Sequence, residues 1–154
     1  IQQAESLKGN DPERYQHLMM AHPQVFEFRP VGKAIYLETE NKPPQSHIWF
    51  KTKEKIRAKN PLKHQLLAFV SDYSLLLSAT LPHRKDFKSQ KIYYASLDHA
   101  LWFHRDFEID DWLLYSIESP SASNARGYAR GSIFDRSGKM IASVSQEGLM
   151  RKFK

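Results

Sequence analysis

Apolar residues crowd one stretch of the chain more densely than any other. Between Asn60 and Thr80 they fall at Leu62, Leu66, Leu67, Phe69, Val70, Tyr73, Leu75, Leu76 and Leu77. These positions cover most of a helical circumference, which predicts a helix buried on nearly every side. Asn60 can cap its start, Pro61 suits the first helical position, and Pro82 stops it. A helix over this stretch would run about 30 Å, the width of a small domain. Asp72 interrupts the run, so it does not read as a membrane span.

Asp72 is also the anomaly of the pattern. Its helical neighbours Ala68, Phe69, Leu75 and Leu76 include no cation to pair with it. Inside a buried helix such a carboxylate needs distant hydrogen-bond donors, a wet cleft or a proton. Otherwise it faces solvent where the helix is thinly covered.

Elsewhere the pattern is short and alternating. Val25–Arg29, Lys33–Thr39, His47–Thr52, Lys91–Leu97 and Trp112–Glu118 are rich in β-branched and aromatic residues and predict strands. Asn41–Gln45 holds Pro43-Pro44, a connection and not a strand interior. His99–His104 fits either strand or turn, Asp106–Asp111 is an acidic loop, and Ser119–Asn124 reads as a turn or bulge. Arg126–Asp135 and Lys139–Gln146 flank Ser137-Gly138, a hairpin signal. Residues 1–24 are polar, with a turn signal at Asn10-Asp11-Pro12, and read as a connector. The sum predicts an α+β domain: a curved antiparallel sheet wrapped around one long central helix.

Composition narrows the function classes. With 154 residues, 41% hydrophobic and 12% aromatic, the chain can bury one real core. It has no cysteine, which excludes disulfides, a thiol nucleophile and thiolate metal ligands. A net charge of +6 suits an anionic partner. The basic residues form no long block, so a solvated basic face is expected, with no nucleic acid and no membrane insertion.

Four constellations hold residues capable of chemistry. His99 and His104 have opposite strand parity and lack a third ligand, so no metal is expected. Arg126-Gly127 and Arg130-Gly131 match no phosphate loop; their glycines mark a bulge or a close backbone approach. Ser96-Leu97-Asp98-His99 cannot be a triad by itself, because strand neighbours do not face one another. On strand parity Ser96 and Asp98 share one face and His99 takes the other. Gln146 shares parity with Met140, Ala142 and Val144, so its amide points towards the core or a cleft and needs partners there.

The runs FVSDYSLL (69–76), ASLDHALWFH (95–104), LLYSIESPSASNARG (113–127) and ASVSQEG (142–148) closely resemble the acyl-CoA thioesterase II family, in the family's order. The resemblance implies the hotdog fold. It also implies that the chain corresponds to the second, C-terminal repeat of a two-repeat protein. Residues 1–24 would be the inter-repeat linker and residues 25–154 the hotdog domain. The implied reaction is hydrolysis of acyl-CoA to a free acid and coenzyme A by an activated water, without cofactor or covalent intermediate. By motif position the catalytic set falls on Asp72, Ser96 and Gln146, with serine where the family also uses threonine. Asp72 would be the general base, its pKa adjusted by burial, with Ser96 and Gln146 orienting the water. Arg126 and Arg130 are candidates for the coenzyme A phosphates by charge alone. Asp98 and His99 receive structural hydrogen bonding only.

Hotdog repeats pair, so self-association or pairing with a first repeat is expected. The end Arg151-Lys152-Phe153-Lys154 is not the Ser-Lys-Leu peroxisomal address. That points to a bacterial cytoplasm or a truncated end, with the peroxisome expected for a eukaryotic source. The competing function is a non-catalytic acyl-CoA-binding or assembly module. A further one, enoyl-CoA hydration, calls for a histidine beside the helix aspartate, and His64 stands two turns from Asp72.

Overall fold

The computed structural model describes residues 25–56, 61–87 and 92–152. The connector expected over residues 1–24 and the cap expected at Asn60 lie outside them. Seven strands form one antiparallel sheet: β1 (Phe26–Pro30), β2 (Gln45–Thr52), β3 (Ile92–Ser96), β4 (Ala100–Phe103), β5 (Leu113–Ser123), β6 (Arg126–Phe134) and β7 (Met140–Lys152). Their order is β1-β2-β5-β6-β7-β3, and β4 also pairs with β7. The strands alternate as half-buried strands must. On β5, Leu113, Tyr115 and Ile117 point inward, and on β6 Ala129 and Ile133 join them. Against this face packs a helical path that begins with α1 (Leu62–Ser71), through Leu67 and Val70. The result is the hotdog arrangement.

The helical path differs from the uniform helix that the apolar run predicts. It is α-helical only to Ser71, turns at Ser74 with φ at +65°, and continues as a 3-10 helix over Leu76–His83. No glycine or proline sits at the break. Three hydroxyls do the work of a breaker instead. Ser71, Ser78 and Thr80 each donate to the carbonyl three residues back, at 2.9, 2.8 and 2.7 Å. Such side-chain bonds compete with the regular helical ladder and bend it. The tighter helix then has a packing use. In a 3-10 helix residues i and i+3 eclipse, which stacks Leu76 and Ala79 over two strand glycines. A Cβ built on Gly148 would overlap Leu76, and one on Gly127 would stand 2.7 Å from the Ala79 Cβ.

Burial differs too. Leu67, Val70 and Ser71 are inside, yet Phe69 is 61% exposed and Leu62 also looks outward. Lys63, on the inner side, anchors the loop before β5 by donating to Asp106 and to the Phe107 carbonyl.

One strand expectation is corrected. Lys33–Thr39 is a loop with one 3-10 turn at Ile35–Leu37. β2 is already flanked by β1 and β5, so no strand edge is open to it there, and Gly32, at φ +81°, turns the chain away. Of the turn or bulge expected over Ser119–Asn124, the bulge holds, inside β5. Pro120 cannot donate to the ladder, and the register shifts between Glu118 and Ser121. The reversal itself comes at Asn124-Ala125, both at positive φ.

Candidate active site

Three elements bring the sequence-predicted residues together. Asp72 immediately follows α1. Gln146 lies on the core side of β7, opposite Ala129 of β6. Ser96 ends β3 and pairs in register with Gly148 of β7. The Gln146 amide nitrogen donates to Asp72 Oδ1 and to Ser96 Oγ, the latter at 2.7 Å. Ser96 Oγ donates in turn to the same Asp72 oxygen at 3.3 Å.

Counting protons fixes the roles. A primary amide has two N–H groups, and both are spent inside the cluster. Its oxygen, Oε1, is buried without a partner among the described residues. The carboxylate therefore sets which way the amide points, since reversing it would aim two oxygens at each other. Gln146 is 0% exposed. Asp72 is not: its side chain is 55% exposed. Of the two readings of Asp72 open in the sequence, a buried carboxylate and one facing solvent, the second holds. Asp72 stands at the helix end and not within it, and water reaches it freely. The negative end of a helix does not favour a carboxylate, and the two donors offset that cost.

Behind Asp72 lies a further layer that sequence reading missed. The His99 Nε2 is 2.9 Å from Ser71 Oγ, and its Nδ1 is 3.9 Å from Asp72 Oδ1. Parity along a strand sends His99 to the opposite face from Ser96, but β3 ends at Ser96, and parity stops with it. The loop beyond is pinned to β7. Leu97 and Asp98 donate their backbone N–H groups to the Glu147 carbonyl at 2.9 and 3.4 Å. The Asp98 carboxylate accepts the Glu147 N–H at 2.7 Å, a structural bond as expected. Tyr115 donates to the Ser71 carbonyl at 2.7 Å. Burial, with the Asp72 charge added, pushes the Tyr115 phenol well above its ordinary range, so it stays a donor.

An open cleft of about 180 Å³ adjoins the cluster, lined by Asp72, Ser74, Leu76, Leu77, Tyr94 and Ser96. Ser74 also borders a second cavity of about 290 Å³. Phe28, Val31, Ile35, Ile48, Tyr73 and Leu81 give that cavity an apolar wall. Its loop side is the segment expected to be a strand.

Other candidates are elsewhere. Arg126 and Arg130 point to the sheet face opposite the Asp72 cluster, where they pair with Glu147 at 2.8 Å and Glu118 at 2.6 Å. They are not brought to the site. His104 bonds Ser143 at 2.8 Å and is separate from His99. Among the described residues no group of three or more metal-ligating side chains occurs. His64 packs edge-on against Phe103 and Phe107, eight residues and so about 12 Å along the chain from Asp72.

A family model described as acyl-CoA thioesterase matches residues 11–149. The chain belongs to the acyl-CoA thioesterase family. It is 40% identical over 109 residues to acyl-CoA thioesterase 2 of Haemophilus influenzae, covering 71% of this chain and 38% of that protein. It is 33% identical over 126 residues to acyl-coenzyme A thioesterase 8 of the mouse, covering 81% of this chain and 39% of that protein. Among solved structures it resembles the acyl-CoA thioesterase II TesB2 of Mycobacterium marinum, with 36% identity and a TM-score of 0.72. That match covers 85% of this chain and 50% of the other. The chain thus spans about two-fifths of the length of these curated family members. The family match begins at residue 11, inside the stretch that reads as a connector. Among the described residues no helix is long and apolar enough to cross a membrane.

Proposed function

We propose that this chain hydrolyses the thioester of a fatty acyl-CoA by means of a water activated by Asp72. One observation carries the reading: Asp72, Ser96 and Gln146, distant in sequence, meet in one hydrogen-bonded cluster whose carboxylate is open to water. All donors of the cluster point at Asp72 or within the cluster, so Asp72 is held as an acceptor. It takes a proton from water as the oxygen adds to the thioester carbonyl carbon. The tetrahedral intermediate collapses, the C–S bond breaks, and the coenzyme A thiolate leaves with the proton from Asp72. Ser96 Oγ spends its hydrogen on Asp72 and so holds the carboxylate that receives the proton of the water. Gln146 has no N–H left for it and serves by fixing Asp72 and Ser96 in place.

The apolar cavity beyond Ser74 supports an acyl substrate. At about 290 Å³ it is roughly twice the ~150 Å³ cavity that holds benzene, and so takes an aliphatic chain of roughly a dozen carbons. The outward Phe69 and Leu62, and the exposed Tyr93, Leu97, Trp102 and Phe103 on or beside β3 and β4, fit pairing with a first repeat or a second copy.

The test is release of free coenzyme A from a medium- and a short-chain acyl-CoA, with this chain alone and with a first repeat supplied. Asp72→Asn is expected to lower kcat about a thousandfold. Acyl-CoA binding without turnover in every combination would replace catalysis by the non-catalytic binding module.

A further inference from the structure

We propose that His99 is a further catalytic residue, which accepts through Nδ1 the second hydrogen of the water whose first hydrogen Asp72 removes. The inference rests on the water mechanism above but on different observations. Ser71 is fully buried, and its hydroxyl has one hydrogen and two neighbours. One neighbour, the Ala68 carbonyl at 2.9 Å, can only accept. The hydroxyl hydrogen therefore goes there. The other contact, with His99 Nε2 at 2.9 Å, must then be donated by the imidazole. A neutral imidazole that carries its hydrogen on Nε2 has a bare lone pair on Nδ1.

That lone pair stands 3.9 Å from Asp72 Oδ1. Asp72 Oδ1 already accepts from Gln146 and Ser96, whereas the Nδ1 lone pair has no donor among the described residues. One water can donate to Nδ1 and to the Asp72 carboxylate together, since its two bonds of about 2.8 Å span acceptors so spaced. A water held by both hydrogens has only its lone pairs free, and a lone pair is what must meet the thioester carbonyl carbon. Orientation of this kind is a major source of rate. The surroundings keep the imidazole in place. Its side chain is only 24% exposed. Its loop is tied to Glu147 by three hydrogen bonds, and Tyr115 fixes the Ser71 carbonyl. The proton balance is that of the parent reaction: His99 accepts a hydrogen bond and takes no proton.

The test combines a spectroscopic and a kinetic readout on the whole protein. Nitrogen-15 NMR of the His99 imidazole at neutral pH is expected to show the Nε2–H tautomer. Ser71→Ala is expected to mix the two tautomers. His99→Leu is expected to lower kcat about thirtyfold with KM for acyl-CoA little changed. His99→Asn places an amide oxygen near the Nδ1 position and is expected to recover a good part of that loss. An Nδ1–H tautomer in the unmodified protein overturns the proposal, even if His99→Leu fails to fold. So does full kcat in His99→Leu alongside an inactive Asp72→Asn. Full kcat in Asp72→Asn would instead overturn the water mechanism itself.

Discussion

Gln146 and Glu147 are neighbours on one strand and face opposite sides of one sheet. On the inner side Gln146 is wholly buried and spends both N–H groups on Asp72 and Ser96, leaving its oxygen without a partner among the described residues. On the outer side Glu147 pairs with Arg126, and Arg130 with Glu118, at 2.8 and 2.6 Å in largely exposed positions. Judged by distance, the outer pairs look strong. Judged by physics, they are not: exposed ion pairs are worth about 0–1 kcal/mol, whereas an unpaired buried polar atom costs about 1–3 kcal/mol. The inner face sustains a cost that packing does not explain, which is in keeping with the role proposed for Gln146. The outer face has short bonds and little consequence.

Three substitutions sharpen the contrast. The largest effect is expected from Gln146→Leu. It removes the donors that hold Asp72 and Ser96, and kcat should fall about a hundredfold, close to 2.7 kcal/mol. Because it also removes the orphaned Oε1, the denaturant midpoint should stay level or rise. Retained turnover with a lowered midpoint would make Gln146 a core residue only. Next is Tyr115→Phe, which strips the Ser71 carbonyl of a buried donor and should cost about 1–2 kcal/mol in urea unfolding. An unchanged midpoint would show that the carbonyl finds another partner. The smallest is Arg130→Ala, expected to move stability by less than about 0.5 kcal/mol and to leave KM unchanged. A clear rise in KM would bring the coenzyme A phosphates to the outer face after all.

Much of this architecture is legible in the sequence. The alternation on β5 and β7 places the inner face correctly, and the parity of Gln146 is the reason that its amide can be read as inward. The misplacements have physical causes. Helical periodicity sees apolar side chains, not hydroxyls that bond back to carbonyls, so the change to a 3-10 helix after Ser74 is invisible to it. The strand-like composition of Lys33–Thr39 says nothing about whether a sheet edge is free. The parity that turns His99 away from Ser96 holds only while the strand lasts, and β3 ends at Ser96. Asp72 stood out for its apolar neighbours, but those neighbours say nothing of the solvent beside the helix end. The Asp72–Ser96–Gln146 set itself came from resemblance. Spacing alone supplies only two oddities, a carboxylate without a cation and an amide facing inward.

The contact of Leu76 with Gly148 has an evolutionary side. The strand lends the helix the space that a side chain would otherwise fill, and Ala79 uses the same space over Gly127. Bulk at position 148 and bulk at position 76 therefore exclude one another. A lineage can hand the side chain across the gap only by changing both positions, with the intermediate step crowded or hollow. Related sequences should consequently keep the pair together or exchange it together, and a chimera that takes its helix from one relative and its β7 from another inherits the mismatch two residues from Gln146.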